Sequence, residues 1–153
     1  MSSSDLPAAC ILRPASVKDI WAIRKLVLGA TLDPTQLRSS QFSVVECEGR
    51  VVACGQLRCF PQAQELGSLV VAPAWRGQGL GTYLVKHLIA RATQPVYLEC
   101  LGKRLVKFYT RFGFVAVAWQ ELPRSLKIKF GLSALAATWF RFPVTIMQHT
   151  TEE

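Results

Sequence analysis

The chain has 153 residues, half of them hydrophobic, which suits one domain with a sizeable core and excludes a disordered chain. Its formal charge of +8 is uneven, net +1 over residues 1–70 and net +7 over 71–153. A basic half admits a phosphate-rich or acidic partner without naming it. No repeat, low-complexity stretch or Pro/Gly/Ser linker divides the sequence, which reads as a single domain over 1–153.

The opening MSSSDLPAA lacks the basic-then-apolar order of a signal peptide. CILRP reads as a short strand ended by Pro14. Ser16 and Asp19 offer caps for a helix over IWAIRKLVLG, whose Ile20, Ile23, Val27 and Leu28 share a face and whose Gly29 is the stop. FSVVECEGRVVACGQLRCF reads as a hairpin turning at Glu48–Gly49. ELGSLVVAP is a further strand closed by Pro73. From Gly79 the period turns helical, with Leu80, Leu84, Leu88 and Ile89 recurring to about Thr93. PVYLEC is a strand, KRLVKFYTRF a helix, GFVAVAW a strand after Gly113, and PVTIMQ a last strand. The order β-α-β-β-β-α-β-α-β, a basic extra segment, then β, predicts a mixed α/β sheet with helices on its faces.

Five cysteines (Cys10, Cys47, Cys54, Cys59, Cys100), with no CxxC or His–Cys spacing, predict reduced, mostly buried thiols in a cytoplasmic protein. The longest apolar runs, such as ALAATWF, are far too short to span a bilayer, and a soluble protein is expected. His87 and His149 lack metal-ligand company and read as structural or solvated; no metal is expected.

WRGQGLG, residues 75–81, places three glycines at alternate positions behind Arg76, at the corner between a strand and a helix. A helix start carries unsatisfied N–H groups and the positive end of the dipole. Glycine lets an anion approach those groups, and Arg76 adds a charge-assisted contact. The predicted guest is a phosphate or pyrophosphate; a tight turn using glycine for sterics alone is the plainer reading. A dinucleotide fingerprint would need glycine where Thr82 stands, and no Gly-Lys-Ser/Thr of a P-loop exists. What fits is Arg-x-x-Gly-x-Gly, as Arg76, Gly79 and Gly81.

That spacing resembles the signature of the GNAT superfamily of acyl-CoA-dependent N-acyltransferases. ILRPASVKDI looks like the family's opening strand and turn, ELGSLVVAPAWRGQGLG like its fourth strand and pyrophosphate loop, and FYTRFGF like its Tyr-x-x-x-Gly-Phe segment. The matches lie in the family's order over residues 11 to about 118. The resemblance implies an α/β GNAT-like fold, a single mixed central sheet flanked by helices and splayed between strands four and five. It implies an N-acetyltransferase moving an acetyl group from acetyl-CoA to a primary amine by direct attack. The amides of Arg76, Gly77, Gln78, Gly79, Leu80, Gly81 and Thr82 would grip the pyrophosphate. The backbone of Leu69, Val70 and Val71 would lie along the pantetheine arm, where an N–H could polarise the thioester carbonyl.

Two catalytic residues follow from the same resemblance. Glu65, eleven residues before Arg76, matches a general-base position of some members, and an acceptor amine with pKa near ~10.4 needs a base at neutral pH. Strand alternation would put Glu65, Gly67 and Leu69 on one face; an exposed glutamate on a strand margin is the other reading. Tyr109 matches the tyrosine that protonates or hydrogen-bonds the departing thiolate, against a core tyrosine of an amphipathic helix. Where many members carry Asn about seven residues earlier, this chain has Gly102, which implies one missing coenzyme or structural contact.

The segment 120–143 is atypical. Leu126, Leu132, Leu135, Trp139 and Phe140 could stripe a helix, but Gly131 and the alternating LKIKF argue against a continuous one. It reads as a cover for the substrate side or a homodimer surface, with a basic membrane-surface segment as the rival. Two further functions compete with transfer: a catalytically silent CoA-binding regulatory module, and nucleic-acid binding by the basic half. The second has no aromatic–basic RNA motif behind it. The acceptor, a small-molecule or peptide amine, is not specified.

Overall fold

A computed structural model of the chain describes residues 6–32, 35–131 and 144–150. The strands are β1 (Cys10–Pro14), β2 (Phe42–Cys47), β3 (Arg50–Phe60), β4 (Ala63–Val71), β5 (Val96–Leu101), β6 (Phe114–Ala116) and β7 (Val144–His149). The helices are α1 (Ile20–Gly29), α2 (Leu80–Arg91) and α3 (Gly102–Thr110), and residues 124–131 are also helical. The strands follow the order β1-β2-β3-β4-β5-β7-β6, a mixed sheet of the expected class. Parallel pairing of β4 with β5 involves Gln64 with Val96 and Glu65 with Tyr97 alone. By packing, the chain forms two units, Met1–Leu57 with Leu66–Arg91, and Arg58–Glu65 with Ala92–Glu153.

In the first unit, β2 pairs antiparallel with β1 and β3. The β2–β3 turn works because Glu48 (φ 52°) and Gly49 (φ 77°) both take the left-handed conformation that a two-residue hairpin loop requires. Alternation along β2 sends its side chains to two cores. Val44 meets Ile23 and Val27 of α1, with Cys54 and Val70. Val45 meets Leu80 and Leu84 of α2, with Ala53 and the half-buried Leu69 and Val71. Truncating Ile23, fully buried, to alanine would cost about 2–5 kcal/mol at such a site.

The start of α1 is anchored by charge. The Ser16 N–H donates to Asp19 Oδ2 at 2.7 Å, and Arg13 grips the same carboxylate through Nη1 at 2.7 Å and Nη2 at 2.9 Å. Hydrogen bonding from Arg13 holds the Asp19 carboxyl down at about 2, against the opposing effect of burial. A folded value below the unfolded one stabilises the protein above the ordinary carboxylate range and is lost as pH falls through about 2. Thermal unfolding of Asp19→Asn is therefore expected to show a flatter pH dependence between pH ~5 and ~2 than the wild type. Equal slopes would refute the linkage.

The cysteine expectation needs correction. Cys10 and Cys47 are Cα partners across β1 and β2 and form a disulfide, while Cys54 and Cys100 are buried thiols and Cys59 is exposed. The bridged cysteines are 37 positions apart in the sequence, so only the strand register reveals the pair.

In the second unit, β7 lies between β5 and β6, antiparallel to both. The doubtful segment is helical over 124–131. Leu122, Leu126 and Phe130 recur every fourth residue and bury against Ala63 and Tyr97, leaving Ile128 70 % exposed. That burial overrides the strand-like alternation of LKIKF. Leu132, Leu135, Trp139 and Phe140 lie outside the described residues. Two strands also differ in extent from the sequence reading: β4 starts at Ala63, and β6 ends at Ala116.

Candidate active site

The glycine loop belongs to the first unit. After Val71 the chain takes a 3-10 turn over Pro73–Trp75, and Arg76 turns its side chain back so that Nε donates to the Val71 carbonyl at 3.2 Å. Gly77 (φ 78°) and Gly79 (φ 82°) are left-handed. A Cβ built on either glycine would meet no protein atom within 4 Å. Positive φ makes glycine the fitting residue here, and the empty shell around both positions leaves room for something other than protein. α2 begins at Leu80, and the first intrahelical donor is the Tyr83 N–H, bonded to the Gly79 carbonyl at 3.0 Å. The amides of Leu80, Gly81 and Thr82 precede it, ahead of any i−4 carbonyl in the helix. Leu80 itself anchors the helix start in the core with Leu69, Val71 and Trp75. The structure thus brings Leu69 to Val71 and Arg76 to Thr82 together as one corner fit for an oxyanion.

Within β4, Ser68 takes φ 50°, a left-handed residue inside a strand. Such a residue marks a bulge and interrupts period-two alternation. The expectation that Leu69 shares a face with Glu65 and Gly67 therefore loses its basis. The adjacent Gly67 would have been the natural suspect in the sequence.

Glu65 lies in the second unit and is 2 % exposed, not an exposed residue on a strand margin. Its Oε1 accepts from Arg58 Nη1 at 2.8 Å and from Lys129 Nζ. Sequence reasoning missed both cations, yet one was within reach. Pro61 and Gln62 form a two-residue turn with Gln62 at φ 61°, so residues 58 and 65, equidistant from it, stand opposite each other. Lys129 comes from the 124–131 helix, and burial pushes its ammonium below the usual range, partly offset by Glu65. Replacing Lys129 by Gln should destabilise the protein by about 1.5–3 kcal/mol, the value of a hydrogen bond to a charged group. Urea denaturation of Lys129→Gln, Glu65→Gln and the double variant checks this. Additive effects would mean that the contact contributes no coupling energy.

Tyr109, also in the second unit, is buried near the end of α3. Its ring sits edge-on to Phe108 at 5.1 Å and to Phe114 at 5.8 Å. Burial, followed by the neighbouring Cys100, raises its phenol above the usual value, so it keeps its proton at neutral pH. Glu65 and Tyr109 thus occupy different groups of contacts, one ionic and one aromatic. Gly102 takes φ 82° at the head of α3. Asn is the other residue that enters this conformation readily, so a backbone need accounts for glycine at this position. His149 stacks edge-on to Phe114 at 5.2 Å. His87 is lowered by partial burial and by Arg91. Among the described residues no His/Cys/Asp/Glu group suits a metal, and no helix is long and apolar enough to cross a membrane.

Comparison with known proteins bears on the family and the fold. An acetyltransferase (GNAT) domain model matches residues 38–116. An amino-acid acetyltransferase of Shewanella oneidensis is 30 % identical over 129 residues, covering 76 % of this chain and 29 % of that protein. One from Ralstonia nicotianae is 32 % identical over 126 residues, covering 73 % and 28 %. The chain thus spans under a third of the length of these curated relatives. N-acetylglutamate synthase from Neisseria gonorrhoeae, solved with coenzyme A and N-acetyl-glutamate, shares the fold at TM-score 0.76 and 21 % identity, over 97 % of this chain and 36 % of that one. A Mycobacterium tuberculosis protein solved with CoA matches at TM-score 0.74 and 22 % identity, over 93 % and 99 %. With the glycine corner, the strand order and the matched region in agreement, the chain belongs to the GNAT acetyltransferase domain family.

Proposed function

We propose that the chain is an N-acetyltransferase, a single catalytic domain over 1–153, that moves an acetyl group from acetyl-CoA to the amino group of a free amino acid in the cytoplasm. The observation that carries the cosubstrate is the pair of open, left-handed glycines, Gly77 and Gly79, just ahead of the unpaired amides of α2. They fit a pyrophosphate, as the backbone of Leu69 to Val71 fits an extended arm. The amino-acid acceptor is supported by the curated relatives, which are named amino-acid acetyltransferases at 30 % and 32 % identity.

In this reading the neutral amine attacks the thioester carbonyl carbon, a C–N bond forms and the C–S bond breaks. The amine's surplus proton goes to Glu65 directly or through water, with Arg58 and Lys129 fixing the carboxylate's position. The departing sulfur takes a hydrogen bond from the Tyr109 hydroxyl. The segment around Lys127 and Lys129 shapes acceptor choice or a dimer contact. Neutralising Lys127, which takes no part in holding Glu65, should change the acceptor KM or dimer affinity and leave the acetyl-CoA Kd within about twofold, since loss of uniform binding moves KM selectively.

Thiol release from acetyl-CoA, measured against the common amino acids, polyamines and a lysine peptide, tests the proposal. Amino-acid-dependent release is the expected result. Tight coenzyme A binding with no release from any amine would indicate the silent binding module instead. Absence of coenzyme A binding would sink the reading altogether.

A further inference from the structure

The first unit contains a cleft of about 660 Å³ that shares Val70 and Arg76 with the acetyl-CoA corner and is otherwise lined by residues the proposed transfer does not use. Its rim carries Lys18 and Lys25 from α1, Arg50 from the β2–β3 hairpin, and the side chain of Arg76. Its floor is apolar, formed by Leu26, Val51, Val70 and Ala72. Leu26, Val51 and Val70 belong to the α1 core. Leu69 and Val71, by contrast, pack with Leu80 of α2. The cleft therefore opens on the α1 side of β4, whereas α2, with the amides of the glycine corner, packs on the other.

The charge in this cleft is unbalanced. Its only acids are Asp19 and Glu46, and both are taken by Arg13, Asp19 through two hydrogen bonds and Glu46 through Nε at 3.3 Å. Counting Arg13, five cations line the cleft against two carboxylates, a net of +3. Among the described residues, Lys18, Lys25, Arg50 and Arg76 make no salt bridge. Four unneutralised cations around a concave, low-dielectric wall focus a positive potential. The volume lies in the range of small-molecule sites, which combine an apolar lining with a few placed polar groups. The two guanidiniums offer planar forks matched to carboxylate or phosphate oxygens.

We propose that this cleft is a second ligand site, adjoining the acetyl-CoA corner at Arg76, for a small multivalent oxyanion with an apolar portion, either an organic polycarboxylate or a phosphate ester. The anion's charges meet Lys18, Lys25, Arg50 and Arg76, and its apolar part covers the floor. The site stands independently of acetyl transfer.

Calorimetric titration of citrate and of inorganic pyrophosphate, each into free protein and into protein saturated with coenzyme A, tests this. In protein saturated with coenzyme A, where the glycine corner is filled, at least one probe is expected to bind with unit stoichiometry and to weaken as salt rises. Binding of citrate alone assigns the polycarboxylate class, and binding of pyrophosphate alone the phosphate class. Lys25→Gln with Arg50→Gln should weaken the anion at least tenfold and leave the coenzyme A Kd within about twofold. The charge-preserving pair Lys25→Arg with Arg50→Lys should bind. Failure of both probes at millimolar concentration would overturn the proposal. So would binding that vanishes once coenzyme A is present, or a double variant that binds as tightly as the wild type. Should the protein fail to bind coenzyme A at all, the free-protein arm still reads the cleft.

Discussion

Gly79→Glu is expected to abolish coenzyme A binding, with a loss of at least 100-fold, on the order expected when a like charge occupies an anion site at a helix N-terminus. The residue sits at φ 82° with open space where a Cβ would stand. The new side chain therefore meets no protein atom, but it points a carboxylate into the space offered to the pyrophosphate. The left-handed backbone costs a non-glycine residue about 1–2 kcal/mol, too little to unfold an ordinary domain. Gly79→Ala separates the two effects, since it carries the same backbone cost without the charge. Circular dichroism and calorimetry on both variants give the answer. Unchanged affinity in the glutamate variant would end the pyrophosphate reading, and an equal loss in the alanine variant would trace the effect to backbone conformation. Gly81→Glu, at the next glycine, should behave like Gly79→Glu.

Tyr109→Phe should lower kcat by about 10²–10³-fold, the usual range for one lost hydrogen-bond donor to developing negative charge, with acetyl-CoA affinity little changed. The phenyl ring keeps the edge contacts with Phe108 and Phe114, so the substitution removes the hydroxyl and little else. The phenol is raised by burial, so it holds its proton too firmly to give it up fully. Its expected contribution is a hydrogen bond to the developing thiolate. The wild-type rate should accordingly show no loss from tyrosine ionisation up to about pH 10, the ordinary phenol value. A phenylalanine variant that turns over at the wild-type rate would return Tyr109 to the role of a core residue.

What could be read in the sequence was local. The start of α1 is written in Ser16 and Asp19 and its end in Gly29; the β2–β3 turn is written in Glu48–Gly49; the left-handed turn into α2 is written in Gly77 and Gly79. Each needs only neighbours within one turn of chain. What was missed depends on residues far apart. The Cys10–Cys47 bond requires the β1–β2 register. The placement of Glu65 beside Lys129 joins residues 64 positions apart. The helix over 124–131 lost to its own alternation until Leu126 and Phe130 found a core to fill. Ser68 hides a left-handed turn in a residue type that gives no warning of one.

The bridge between Cys10 and Cys47 gives β1 two kinds of attachment, which respond to different conditions. One is covalent and yields to thiols; the other is the Arg13 clamp on Asp19 and Glu46, which yields to acid and salt. In a reducing cytoplasm the first would be opened, and the strand would depend on its ladder with β2 and on the clamp. Amide hydrogen exchange along Ile11–Arg13 would then rise with dithiothreitol at neutral pH while exchange in β3 stayed slow. Low salt would protect β1 from fraying. The first strand would thus report both the redox state and the ionic strength of its surroundings. Because Cys10 and Cys47 share one core with Leu80 and Leu84 at the start of α2, the glycine loop packs on the same cluster as the bridge.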